Sequence, residues 1–358
     1  VGFLLYTPYM KIAVYAIAKN EEHFVKRWAE SAKDADYLLI ADTGSTDNTV
    51  AVAKELGIVC HTISVKPWRF DDARNASLAL LPEDIDYCIA LDLDETIVGD
   101  LRGELEKALA QGINRPTYRF ITSWTSEGEP GMEFAGFRIH SRQGWRWRYP
   151  IHELPVPYGI PEKAQYFTGF RIEHHPDQTK SRGQYLPLLK MATEEDPASD
   201  RNAFYYAREL YFHGMWAESI AEFKRHLSLP SAWWKPERAG AMNYLGQMDT
   251  ENAIEWFDKS IIECPDRREP YVLKARYYYQ KVDWENCLLW AKMALQIKEK
   301  NMEYFNEPYA WGSEPYDLAA LASHNLGDNK SALEYGQKAV ELSPTDERLQ
   351  RNMVFYSL

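Results

Sequence analysis

Cysteine is scarce in this chain: Cys60, Cys88, Cys264 and Cys287 lie far apart and form no C-x-x-C pair. They read as reduced, mostly buried thiols of a cytoplasmic protein. Long apolar runs are missing too, and none approaches the ~18–20 residues that a membrane helix needs. Basic charge is in deficit, with 41 Lys and Arg against 53 Asp and Glu and a net charge of -12. A binder of phosphate backbones would normally carry a basic face, so nucleic acid is disfavoured as a partner. The first nine residues have too short an apolar stretch, and no basic start, for a signal peptide. We expect Met10 to be the natural start and residues 1–9 to be an upstream extension.

What is present is a chain of 358 residues, long enough for two domains with cores of their own. A hydrophobic fraction of 45% and an aromatic fraction of 14% mark it as folded and globular. Twelve Trp and 23 Tyr are many for this length. Some belong to cores, but such rings also form surfaces on which sugars stack.

In the N-terminal half, short apolar runs alternate with helical patterns. Ile12 to Ala18 reads as a strand, and Phe24, Val25, Trp28 and Ala32 recur at helical spacing. Tyr37 to Ala41 is a second strand, ending in Asp42-Thr-Gly-Ser-Thr-Asp47. Gly44 allows a tight turn there, and Ser45, Thr46 or Asp47 can cap a helix over Thr49–Leu56. Ile58–Ile63 is a third strand. Phe70 to Asn75 reads as a loop into a helix over Ala76–Leu81, and Asp86–Leu91 is a fourth strand. This alternation predicts an α/β domain with a mixed, mainly parallel sheet, which binds ligands at the carboxyl ends of its strands. Asp42, Asp47, Arg74, Asn75, Asp92 and Asp94 are all expected at such ends or in the loops just beyond. The run Leu91-Asp-Leu-Asp-Glu95 packs oxygen ligands closely enough for Mg2+ or Mn2+ carrying phosphate oxygens.

Four motifs, Ala18-Lys-Asn-Glu-Glu22, Asp42-Thr-Gly-Ser-Thr-Asp47, Ala73-Arg-Asn75 and Leu91-Asp-Leu-Asp-Glu95, follow in order over about the first hundred residues. In this order the chain resembles the family 2 glycosyltransferases with a GT-A fold. The resemblance implies that Asp42 bonds the nucleotide base, usually uracil, with Ala18, Asn20 and Glu22 lining the nucleoside pocket beside Asp47. It places Arg74 and Asn75 near the pyrophosphate and donor sugar, and a metal on Asp94 with Asp92 as support. The chemistry wants these types independently: a carboxylate accepts a uracil N3–H, and a metal and an Arg stabilise a departing diphosphate.

Beyond residue 115 the likeness loosens. Tyr118–Trp124 and Glu133–His140 read as two antiparallel strands. Gly144 to Pro150 alternates Trp145, Trp147 and Tyr149 with Arg146 and Arg148, placing rings on one face of a strand. That face is either a half-buried strand packing or an aromatic wall beside a sugar. Ile151-His-Glu153 is similar to a His-Glu pair in the part of the family near lipopolysaccharide-core and peptide S-glycosyltransferases. Glu153 is the candidate base for the acceptor proton, with Asp94 and Glu95 as rivals. His174 or His175 is expected to return a ligand to the metal, and Lys180 and Arg182 to clamp the diphosphate.

A repeat occupies the C-terminal half. Ile220, Ile254 and Leu288 are spaced by 34 residues, while Leu333 comes late, after an insertion over Glu299–Glu314. The block resembles a tetratricopeptide array of about four units, with all-α helix pairs stacked on one another. Domains are therefore expected at 10–185 and 198–358. The whole reads as a metal-dependent, inverting hexosyltransferase using Mn2+ or Mg2+ and a nucleotide sugar, with UDP expected. Its acceptor would be a peptide, a protein or a glycan, and the repeats would serve a homodimer or a partner protein. The alternative is a non-catalytic binding scaffold on a degenerate transferase domain. A nucleotidyltransferase would want a Gly-rich, basic first loop, which Ala18–Glu22 is not.

Overall fold

The computed structural model describes residues 9–125, 128–177 and 183–357. The chain divides into two compact units, Val1–Ser123 with Glu133–Arg182, and Trp124–Met132 with Gly183–Leu358. Among the described residues no helix is long and apolar enough to cross a membrane.

The first unit runs β1 (Ile12–Ala18), α1 (Glu22–Ser31), β2 (Tyr37–Asp42), α2 (Thr49–Glu55), β3 (Val59–Thr62), α3 (Phe70–Ala79), β4 (Tyr87–Ala90), β5 (Glu95–Gly99) and α4 (Leu101–Ala110). It continues through β6 (Arg115–Ile121), β7 (Glu133–Gly136), β8 (Ile139–Ser141), β9 (Trp145–Arg148), β10 (Leu154–Pro157) and β11 (Ala164–His174). One sheet has the order β3-β2-β1-β4-β8, parallel except for β8. Both faces of its central strands β1 and β4 are covered, which explains why these two are apolar throughout. Ile12, Val14, Ala16 and Ala18 of β1 enter one core, and Ala13 and Tyr15 enter the other. A second sheet, β5-β11-β6-β7, is mixed, and β9 pairs with β10 as a separate ribbon.

Two sequence expectations change here. Phe70 to Asn75 is not a loop: α3 already begins at Phe70, with Asp71 and Asp72 in its first turn, where carboxylates suit the helix dipole. Arg74 and Asn75 are thus fixed on a helix. The expected hairpin also ends early, because β7 pairs with β6 only as far as Gly136. Ile139–Ser141 leaves to pair with β4 in the other sheet, and this carries Arg138 to the end of β4.

The second unit is α5 (Tyr185–Glu195), α6 (Asp200–Phe212), α7 (Trp216–Ser228), α8 (Lys235–Met248), α9 (Ala253–Glu263), α10 (Glu269–Gln280), α11 (Trp284–Gln296), α12 (Pro308–Trp311), α13 (Glu314–Asn325), α14 (Asn329–Leu342) and α15 (Glu347–Tyr356). It forms four pairs, α6/α7, α8/α9, α10/α11 and α13/α14, each packed on the next, an all-α tetratricopeptide-like array. Small residues allow the close approach: a Cβ on Gly246 would stand 2.4 Å from the Phe257 ring. Asp283 and Asp328 cap α11 and α14 through the amides of Asn286 and Ser331. The turns within three of the pairs pass through a left-handed residue, Gly214, Val282 and Gly327.

Candidate active site

The carboxyl end of β4 opens into the turn Asp92-Leu-Asp-Glu95. The Glu95 amide donates to the Asp92 carbonyl, and Glu95 Oε2 accepts the Asp92 amide, both over 2.9 Å. Trp28 Nε1 donates to the Leu91 carbonyl over 3.0 Å from beneath. The turn is therefore fixed from both ends before any ligand arrives.

Around it runs a chain of alternating charge. Arg74 on α3 donates from Nε to Glu153 Oε1 over 3.0 Å and from Nη2 to Asp92 Oδ1 over 2.6 Å. Arg138 donates from Nη1 to Asp92 Oδ2 over 2.8 Å and from Nη2 to Glu95 Oε1. Arg74 is only 2% exposed, and its Cζ lies 5.3 Å from the centre of the Trp147 ring. Arg138 rests on Phe120 in the same way. Burial opposes ionisation of Asp92, but the two guanidinium groups outweigh it and hold its carboxyl well below the usual range. Burial pushes Glu95 up to about 7, against the pull of Arg138. Burial would also lower the Arg74 pKa, yet the charges of Asp92 and Glu153 raise it. Arg74 Nη1 is a buried donor with no hydrogen-bond partner among the described residues. Such a group is rare in a folded protein and points to a ligand or a water.

Asp94 faces the other way. Its Oδ2 is 3.2 Å from His174 Nε2, at the end of β11. Burial lowers the His174 pKa, but the hydrogen bond and charge of Asp94, with Glu95 and Asp92 behind it, raise it overall. His175 instead stands 3.4 Å from Glu173, and its amide donates to the Asp94 carbonyl. So of the two histidines, His174 is the one at the carboxylate. Among the described residues no group of three or more His, Cys, Asp or Glu side chains is gathered as a metal site. Asp94 and His174 fit a divalent cation as a mixed oxygen and nitrogen pair that leaves positions for phosphate oxygens. Each oxygen of Asp92 already accepts a guanidinium N–H, which leaves Asp94 the less engaged carboxylate of the two.

The loops after β1 and β2 brace each other. Both carboxylate oxygens of Asp42 accept backbone N–H from Gly44 and Ser45 over 3.0–3.2 Å. Asn20, in the left-handed region at φ 56°, accepts the Thr46 amide over 2.7 Å and donates its own amide to Ser45 Oγ. Glu22 accepts the Asn48 amide over 2.8 Å, and the Ala18 carbonyl accepts the amide and hydroxyl of Thr43. Asp47 is spent on the start of α2, accepting from the Thr49 amide and hydroxyl. These motif residues hold the two loops to each other.

Trp145 and Trp147 are not a sugar platform. They are 7% and 2% exposed, and β9 turns both rings inward and Arg146 and Arg148 outward. Trp147 Nε1 donates to the Tyr15 hydroxyl over 2.8 Å in the core beneath Arg74. Asn75 is a helix residue that bonds backbone. Its amide holds β9, donating to the Trp147 carbonyl over 2.9 Å and accepting the Trp147 amide over 2.8 Å. That bond fixes the strand leading to Glu153, through Tyr149 and His152 at φ 80° and 53°. Backbone of this kind persists only where its surroundings over-determine it. Lys180 and Arg182 lie outside the described residues. Arg138 and Glu95 are the residues of the cluster that motif reading did not assign to substrate or metal. Arg138 lies just before β8, inside the stretch expected as one strand, and nothing in the local pattern pointed it at Asp92.

Comparison with known proteins gives this geometry a context. Residues 14–175 match the family model described as Glycosyl transferase family 2. The lipopolysaccharide core biosynthesis glycosyltransferase LpsC of Rhizobium meliloti is 26% identical over 240 residues, covering 60% of this chain and 86% of that protein. An uncharacterized glycosyltransferase of Rickettsia conorii is 33% identical over 102 residues, 28% of this chain and 34% of its own length. A TPR repeat-containing protein of Synechococcus elongatus is 29% identical over 148 residues, 40% of this chain and 35% of its own. The chain thus spans about a third of the length of the last two relatives. Among solved structures, a thermophilic TPR protein of Thermus thermophilus aligns with 48% of this chain and 88% of its own, at a TM-score of 0.34 and 16% identity.

Proposed function

We propose, from the premise that residues 14–175 form a family 2 glycosyltransferase domain, that this domain is an inverting, metal-dependent hexosyltransferase using a nucleotide sugar, with UDP as the nucleotide. The observation that carries the reading is the cluster at the end of β4, where Arg74 joins Asp92 to Glu153 and Asp94 meets His174. Asp94 and His174 would hold Mn2+ or Mg2+. Such an ion supplies Lewis-acid stabilisation to a departing diphosphate.

The remaining steps fall to the chain. Asp42 keeps lone pairs beyond its two backbone bonds and accepts the N3–H of the base. Arg74 Nη1, the unpartnered donor, bonds a donor-substrate oxygen, while its Nε and Nη2 keep Glu153 and Asp92 in place. Glu153 takes the proton of the acceptor hydroxyl or thiol as that atom attacks the anomeric carbon in line. A peptide, protein or glycan acceptor is consistent with this chemistry, and the similarity to LpsC, a lipopolysaccharide core biosynthesis glycosyltransferase, favours a glycan. The helical array serves to engage a partner, either a protein or a second copy.

The test is release of UDP from a UDP-hexose with Mn2+ in the presence of candidate acceptors. Glu153→Gln should keep nucleotide affinity and lose about 10²- to 10⁴-fold in turnover, the usual range for a removed general base. Full transfer by Glu153→Gln would remove it from that role. Absence of turnover by the wild-type domain with every nucleotide hexose would remove the reading itself.

A further inference from the structure

Period-2 alternation gives β9 two unlike faces. Trp145 and Trp147 are buried, and Arg146 and Arg148 stand exposed on the other side. β10 pairs with it antiparallel, Leu154 opposite Arg148 and Val156 opposite Arg146, so these two half-buried side chains share the outer face. Arg146 Cζ lies 5.1 Å from the centre of the Tyr158 ring, and Tyr158 is 65% exposed. Arg148 Cζ lies 5.4 Å from the centre of the Tyr149 ring. The outer face of the ribbon thus combines cations, phenol rings and a short aliphatic stripe.

Its charge is uncompensated. Over residues 145–158 the only carboxylate side chain is Glu153, and that one accepts from Arg74. Among the described residues neither Arg146 nor Arg148 has an ion-pair partner, whereas Arg102, Arg119 and Arg171 each hold a carboxylate. In a chain of net charge -12, carboxylates to pair them are not scarce. A ring beneath a guanidinium takes up its flat face and leaves the N–H edge for an anion. Position then says whose anion. β9 and β10 meet in the turn over residues 149–153, and Arg148 faces Leu154, one residue from Glu153. At a strand rise of about 3.3 Å per residue, Arg146 lies about 7 Å further from that turn.

We propose that the outer face of the β9–β10 ribbon binds the acceptor, and that this acceptor is a glycan carrying acidic groups, read by Arg148 and Arg146 in turn. The inference rests on Glu153 as the base of a glycosyl transfer, and adds the charge of the acceptor and the surface that recognises it. Planar guanidinium groups bind carboxylate or phosphate through paired N–H bonds, while the apolar body and polar tip of Tyr158 suit a sugar ring.

The probes are trigalacturonate, with a carboxylate on every sugar, uncharged maltotriose, and hexaglutamate as an acidic peptide, each titrated calorimetrically into the full chain. Wild type should bind trigalacturonate in preference to the other two, and less tightly as salt is raised. The variant Arg146→Gln/Arg148→Gln changes only exposed side chains and should keep its melting temperature. It should bind trigalacturonate at least about tenfold more weakly, while UDP with Mn2+ raises its melting temperature as in wild type. No binding of trigalacturonate by wild type, or equal binding by wild type and variant, overturns the proposal. So does maltotriose or hexaglutamate bound as well as trigalacturonate, or a variant that loses the rise with UDP and Mn2+, which would move the arginines to the donor side. Absence of that rise in wild type counts instead against the transferase reading, so the two failures are told apart.

Discussion

Arg74 and Glu153 are 79 residues apart in sequence and meet with Nε 3.0 Å from Oε1. The same guanidinium holds Asp92 at the end of β4. One buried side chain thereby sets the positions of the candidate base and of the acidic turn together. It ties α3, the turn after β4 and the loop before β10 into a single unit.

Removing Arg74 should therefore cost both stability and chemistry. Arg74→Gln leaves Glu153, only 11% exposed, without this partner. Breaking a buried pair from one side typically costs about 3 kcal/mol or more. Thermal and urea unfolding of the variant should show that loss, with UDP release falling further than stability explains. Arg74→Lys should lose less stability while still failing in turnover, because an ammonium cannot serve two carboxylates in one plane.

Acid sensitivity should trace in part to His140. The ring is fully buried, donates from Nδ1 to the Ser141 carbonyl over 2.8 Å, and lies 3.5 Å from the Tyr15 hydroxyl. Burial, with smaller contributions from Arg115 and Arg142, pushes its pKa down from 6.5 to about 4. The unfolded chain thus gains a proton at His140 before the folded chain does. Folding stability falls as pH drops through that window, by about 3 kcal/mol in full. Urea unfolding from pH 7 to pH 4 should show a shallower decline for His140→Gln than for wild type. Parallel profiles would assign the acid sensitivity elsewhere.

Val282 occupies the turn position where the first and last helix pairs have Gly214 and Gly327. At φ 60° and 64% exposed, it bears a left-handed backbone with little burial in return. For a β-branched residue that conformation costs about 1–2 kcal/mol. Val282→Gly should raise stability by about 1 kcal/mol in thermal unfolding, and an unchanged or lower midpoint would contradict it.

The succession of strands and helices along the chain and the motif-bearing ends of β1, β2 and β4 were legible because each rests on local pattern. Apolar runs such as Ile12–Ala18 declare buried parallel strands, and the 34-residue spacing of Ile220, Ile254 and Leu288 declares repeats. What local pattern could not carry was who pairs with whom. Asp92 looks like a free ligand until Arg138 arrives from just before β8, a strand that the sequence joins to the wrong sheet. Trp145 and Trp147 look equally suited to a sugar or a core, since period-2 spacing names a face and not what covers it. Asn75 sits in a family motif, yet its partner is the backbone of β9, 72 residues on. Residues 299–314 were legible only as an interruption, because their contacts lie on helices up to a hundred residues earlier.

The central claim is that Asp94, with His174, anchors a metal-bound nucleotide diphosphate. Ligand binding raises the melting temperature by mass action, by about 2.7 kcal/mol of stability at a hundredfold excess over Kd. The direct measurement is the melting temperature of the full chain with UDP and Mn2+ together, and with each alone, in wild type and in Asp94→Asn. The account predicts a clear rise with both ligands, larger than the separate rises combined, and loss of the Mn2+-dependent part in Asp94→Asn. No rise with UDP and Mn2+, or the same rise in Asp94→Asn, would contradict it.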